Sequence, residues 1–136
     1  MNKFDIQSQE LFDNSIQLFD YPLESIDACC INFDKNNYIC INENKDFTSF
    51  DKYWRIEHEL EHIKNNALYT YESSKLAIKR REYKANDALV KKHNLATYTV
   101  DLIKSGLTKW EICEELDIPS DLFDHTLNYI KRKGIM

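Results

Sequence analysis

With only two glycines and two prolines in 136 residues, this chain has few places where its backbone can turn sharply or a helix must stop. Long, uninterrupted helices fit that scarcity better than a turn-rich β fold. The length suits one domain, or one domain with a small appendage, able to bury a real core. An apolar fraction of 43% with 30% charged residues is that of an ordinary soluble globular protein. A net charge of −5 lacks the basic surplus of a general nucleic-acid binder. No stretch approaches the roughly eighteen apolar residues of a membrane span, and Met1–Asp5 lacks a signal-peptide run. The expectation is a cytoplasmic protein without membrane contact. Its four cysteines (Cys29, Cys30, Cys40 and Cys113) show no CxxC spacing and read as reduced.

Periodicity along the chain predicts an α+β domain, mainly helical, with a small antiparallel sheet. Ile6, Leu11, Phe12, Ile16 and Phe19 recur at loose helical spacing, which predicts an N-terminal helix from Asp5 to Phe19, before Tyr21-Pro22. Asp27 to Phe33 and Tyr38 to Asn42 read as two strands of a hairpin around Asp34-Lys35-Asn36-Asn37. A helix should open near Ser49-Phe50-Asp51, with Tyr53, Ile56, Leu60, Ile63 and Ala67 as its apolar stripe.

From residue 96 the pattern changes, dividing the chain into a core over 1–95 and a helical unit over 96–136. Ala96 to Lys104 suits a helix stopped by Gly106, and Thr108-Lys109-Trp110-Glu111 is a capping box that opens another. Ser120 is expected to cap a final helix closed by Gly134. The stretch from Gly106 to Gly134 reads as a helix-turn-helix unit. From Leu95 to Met136, however, five Lys/Arg stand against seven Asp/Glu, and Asp121 and Asp124 open the helix that would meet the bases. These charges argue against DNA as a partner. Lys131-Arg132-Lys133 is simply well placed at a helix C-terminus.

The chemistry lies in His58-Glu59-Leu60-Glu61-His62, the HExxH pattern. Two histidines four apart stand one turn apart on one helix face and can share an ion, with Glu59 offset around the helix. They sit almost opposite the apolar stripe, so either they face water or a second element covers them. The covering element should be the helix after Ser73-Ser74, on which Ile78, Glu82, Ala85 and Leu89 fall on one line. A carboxylate on an otherwise apolar face is costly unless paired or metal-bound. A salt bridge from Glu82 to Arg55 or Lys84 is the plain alternative to its being the third ligand.

On the metal reading, His58, His62 and Glu82 hold zinc, and the zinc acidifies a water. Glu59 takes the water's proton and passes it to the leaving amine. Asn86, one turn after Glu82, is placed to accept a hydrogen bond from a ligand histidine. Tyr69, Tyr71 and His93 are the candidates for stabilising an oxyanion. Trp54 is placed either to shield the metal or to fill the core. Lys75, Lys79, Arg80, Arg81 and Lys84 form a basic helix surface.

Three ordered segments, Tyr38-Ile39-Cys40-Ile41-Asn42, Trp54-Arg55-Ile56-Glu57-His58-Glu59-Leu60-Glu61-His62 and Glu82-Tyr83-Lys84-Ala85-Asn86, resemble the ImmA/IrrE metallopeptidases over about residues 25 to 95. The resemblance implies a zincin-like core with His58, His62 and Glu82 as zinc ligands and Glu59 as the catalytic acid/base. It also implies that Ile39, Cys40, Ile41 and Asn42 form the edge on which an extended substrate lies. The implied substrate is a protein, a helix-turn-helix repressor of a phage or mobile element. The position before the second histidine, usually glycine in that family, is Glu61 here.

The leading expectation is therefore a zinc-dependent endopeptidase. The alternative is a non-catalytic, zincin-like regulatory or adaptor protein that binds a partner through its C-terminal helices. A DNA binder with an accidental HExxH comes last.

Overall fold

The computed structural model describes residues 1–65, 68 and 73–135. Among these, six helices and one three-stranded sheet follow the order α1 (Lys3–Asp13), β1 (Ile16–Tyr21), β2 (Ala28–Phe33), β3 (Asn36–Asn42), α2 (Ser49–Lys64), α3 (Lys75–Lys92), α4 (Leu95–Lys104), α5 (Lys109–Leu116) and α6 (Ser120–Lys133). The architecture is α+β and mainly helical, as expected. No helix among the described residues is long and apolar enough to cross a membrane.

The N-terminal helix is shorter than its periodicity predicts. Asn2 and Asp5 form a capping box that opens α1, and the helix stops at Asn14. Ser15 then takes a left-handed backbone (φ 56°), which re-aims the chain. Ile16 to Phe19 belong to β1, not to the helix. A spacing of three between Ile16 and Phe19 suits either element, and pairing with β3 decides for the strand. β1 runs parallel to β3, with Ile16 opposite Asn37. β2 is antiparallel to β3, joined to it by the two-residue turn Asp34-Lys35, both residues left-handed. The sheet is thus mixed rather than antiparallel, in the order β1-β3-β2.

One sheet face packs on α1 and α2. Ile16, Ile39 and Ile41 meet Leu11, Ile56 and Leu60 in a buried cluster. Leu60 is fully buried, so Leu60→Ala would cost about 2–5 kcal/mol. Asn42 closes the end of β3 by local bonding. Its Oδ1 accepts from the Leu23 and Asn44 backbone N–H groups, both at 3.0 Å, and its Nδ2 donates to the Ile26 carbonyl.

Helix α2 begins at Thr48, whose hydroxyl accepts from the Asp51 N–H, and α3 begins at Ser74, which caps the Ala77 N–H in the same way. Ala67, expected to extend the α2 stripe, lies outside the described residues. α2 runs between the sheet and α3, and the small side chain of Ala85, fully buried on α3, lets the two helices approach closely.

A second core joins both halves of the chain. Tyr53 and Trp54 of α2 and Leu89 and Val90 of α3 pack with Ile112, Phe123 and Ile130 of the last two helices and with Ile118 of the link between them. Trp54 fills this core, and its indole N–H donates to the Asp117 carbonyl at 3.0 Å. The capping box of Thr108 and Glu111 forms as predicted, and Gly134 (φ 65°) closes α6. The cap of α6 is Pro119 rather than Ser120, which becomes the first helical residue without capping through its side chain.

Candidate metal centre

His58 and His62 occupy the α2 face turned towards α3, where Glu82 meets them. His58 Nε2 lies 2.8 Å from Glu82 Oε2, His62 Nε2 lies 2.9 Å from Glu82 Oε1, and the two ring nitrogens are 3.1 Å apart. These three donors form the metal-competent cluster found among the described residues. His62 is buried at 2%, whereas His58 and Glu82 are half-buried, so the cluster is reached from one side.

The donor set fits a cation. Asn86 Oδ1, which can only accept, lies 3.1 Å from His58 Nδ1. That contact puts the His58 ring hydrogen on Nδ1 and leaves the Nε2 lone pair facing a carboxylate and another imidazole nitrogen. Such lone pairs repel unless a proton or metal sits among them. Separations of 2.8 to 3.1 Å are also near the edge of about 3.3 Å expected for a tetrahedron with zinc–ligand bonds near 2.0 Å. Where the histidines carry that proton, their hydrogen bonds and charge outweigh the burial that pushes the Glu82 pKa up and hold its carboxyl well below its usual range. The alternative salt bridge of Glu82 to Arg55 or Lys84 does not form among the described residues; Arg55 instead meets Asp27 at 3.1 Å.

Glu59 projects from the same helix towards β2 and is half-buried. The Cys30 thiol lies near its carboxylate; burial first, then the charge of Glu59, drives the thiol pKa far up. The Cys29 thiol, directly across from Cys40, is pushed up by burial to about 11, and all four cysteines are free.

Several assigned roles change. Ile39, Cys40, Ile41 and Asn42 do not form a substrate edge. β3 is the central strand, paired on both sides, and these four residues are at most 2% exposed. Ile39 and Ile41 are core, Cys40 faces Cys29, and Asn42 ties two loops together. The open edge beside Glu59 belongs to β2. His93 accompanies Glu57 at 3.1 Å and stacks edgewise on Trp54, so it is committed elsewhere. Tyr69 and Tyr71 lie outside the described residues. Lys75, Lys79, Arg80 and Lys84 are exposed on α3, and Arg81 donates to the Leu68 carbonyl.

Behind the metal helix runs a charge network that the sequence reading missed. Glu57 is 1% exposed, yet its carboxyl sits 2.7 Å from Lys92 Nζ and accepts from Gln7 Nε2 at 3.1 Å. Burial raises its pKa, but His93 and Lys92 overcome this and bring it down to about 2. Glu61 points into the same network, away from the metal. It is 3.6 Å from Lys92, 3.8 Å from Lys64, and accepts from Asn65 Nδ2 at 2.7 Å. Two cations thus stand near the Glu61 charge, although its Oε1 accepts no hydrogen bond among the described residues. One signal was readable: at 100° per residue Glu57 falls between Tyr53 and Trp54, inside the apolar arc that these two form with Ile56 and Leu60.

Beside the cluster, a cleft of about 280 Å³ opens between α2, α3 and the start of α6. His58, Glu82 and Asn86 form one of its sides, and Pro119, Asp121 and Leu122 another. Neither spacing nor composition could have brought α6 to this place. Compared with protein-family models, curated proteins and solved structures, the chain matches none.

Proposed function

We propose that this chain is a zinc-dependent endopeptidase of ImmA/IrrE type, acting on a protein substrate in the cytoplasm. The observation that carries this reading is the convergence of His58, His62 and Glu82 on one point, with Glu59 on the same helix facing an open strand edge. Two histidines and one carboxylate are the donor set of many catalytic zinc sites, which keep a fourth position free.

When bound, zinc supplies Lewis acidity, polarising a carbonyl and making water acidic near neutral pH. The protein's own groups do the rest. Asn86 fixes the His58 ring and its tautomer. Glu59 takes a proton from water and returns it to the leaving amine. The backbone of β2, unpaired on its outer side, is the surface on which an extended substrate would add a strand. The substrate proposed is a helix-turn-helix repressor of a phage or mobile element, and this rests on the family resemblance of the three motifs.

Co-expression with a repressor encoded nearby, comparing wild type with Glu59→Gln, tests the reading. Cleavage by the wild type alone supports it. Cleavage by both forms, or by neither when each carries one zinc, rejects catalysis by Glu59. The second of those results favours the non-catalytic adaptor.

A further inference from the structure

We propose that α6 supplies one wall of a side-chain pocket beside the metal centre, and that this pocket selects a lysine or arginine of the protein substrate. The inference rests on the peptidase reading and deepens it by naming what the cleft accepts.

The cleft adjoins two of the three metal donors, so a chain held at the metal has a side chain within reach of it. At about 280 Å³ it lies below the roughly 300–1,000 Å³ of small-molecule sites, a size suited to one side chain. Its walls are apolar where Trp54, Leu89 and Leu122 meet, which suits the methylene stem of a long residue.

Its charges are acidic. Asp51 stands in the first turn of α2 and Asp121 in the first turn of α6, on two sides of the same cleft. Asp51 is engaged only by the Thr48 hydroxyl and backbone, and Asp121 has no ion-pair partner among the described residues. Of the basic residues in the lining, His58 belongs to the donor cluster and Arg55 is turned to Asp27 at 3.1 Å. An apolar stem with a cationic end satisfies both parts of this surface. A carboxylate side chain would meet two like charges, and a purely apolar one would leave both aspartates unused.

Amino-acid hydroxamates test this by binding, because the hydroxamate anchors on the metal and the side chain samples the cleft. Calorimetry on the zinc-loaded protein would compare lysine, norleucine and glutamate hydroxamates. Lysine should bind about five- to tenfold tighter than norleucine, with glutamate weakest. Asp121→Lys, at an exposed position that leaves the core intact, should invert the order of lysine and glutamate. Zinc uptake with equal binding of all three, or with a ranking untouched by Asp121→Lys, overturns this inference alone. Failure to take up zinc removes the proposed function, and this inference with it.

Discussion

Glu57 and Lys92 meet 2.7 Å apart behind the metal helix, thirty-five residues distant in sequence, with the carboxylate almost wholly out of water. Lys92 also reaches Glu10 and Glu61, so one cation serves three carboxylates. Removing it strands buried negative charge. Lys92→Met should lower the stability by about 3 kcal/mol, at the low end for a broken buried pair because Lys92 keeps 23% exposure. Urea denaturation followed by circular dichroism measures this, and a loss under about 1 kcal/mol would contradict the role given to Lys92.

Acid should unfold the metal-free protein through the same network. The Glu57 carboxyl is lowered from 4.5 to about 2, and that of Glu10 is also lowered. A depressed folded pKa stabilises the protein above the unfolded value and loses that contribution as pH falls through the folded one. The urea midpoint should therefore hold down to about pH 4.5 and decline towards pH 2. Glu57→Gln should flatten the decline; a slope unchanged by the substitution would place the titration elsewhere.

Zinc should act as a stabilising ligand. At a hundred times its dissociation constant it should add about 2.7 kcal/mol to the free energy of unfolding. His62→Ala, which deletes a buried donor, should show no such gain. Equal zinc-induced shifts in melting temperature for both proteins would mean that the ion binds outside the cluster.

Asn86→Ala should weaken zinc binding about 10–100-fold while leaving the fold intact, because the hydrogen bond to His58 Nδ1 orients a ligand without contacting the ion. Competition with a chromogenic chelator gives the number. An affinity unchanged within twofold would make Asn86 a bystander.

Glycine at position 61 should harm rather than help. Glu61→Gly removes a buried carboxylate from Lys64 and Lys92 and adds about 1 kcal/mol of helix penalty. A lower melting temperature with zinc affinity within a few-fold of wild type is expected, since Glu61 faces away from the donors.

The local part of this structure was legible in the sequence. Thr48, Ser74, the Thr108–Glu111 box and Gly134 mark helix ends by contacts within four residues, and the donor cluster needs only two helical spacings and one meeting of helices. What escaped depends on distant pairing. The spacing within β1 alone suits a helix, and the partner that makes it a strand, β3, begins twenty residues after it. A two-stranded hairpin leaves β3 one open side, and the substrate edge at Ile39 to Asn42 is implied by the family resemblance alone. The contacts of Glu57 with Lys92, and of α6 with the metal-side cleft, bridge separations that no periodicity reports.

The core shared by Tyr53, Trp54, Leu89 and Val90 with Ile112, Ile118, Phe123 and Ile130 packs the helical unit after residue 95 onto the rest of the chain. A chain cut at that boundary would leave an indole and several aliphatic groups of α2 and α3 facing solvent. The two segments are not exchangeable cassettes. Recombination that swapped the last forty residues for another helical tail would have to re-fit the floor beneath Trp54 as well, so the metal-binding part and its tail should be inherited together.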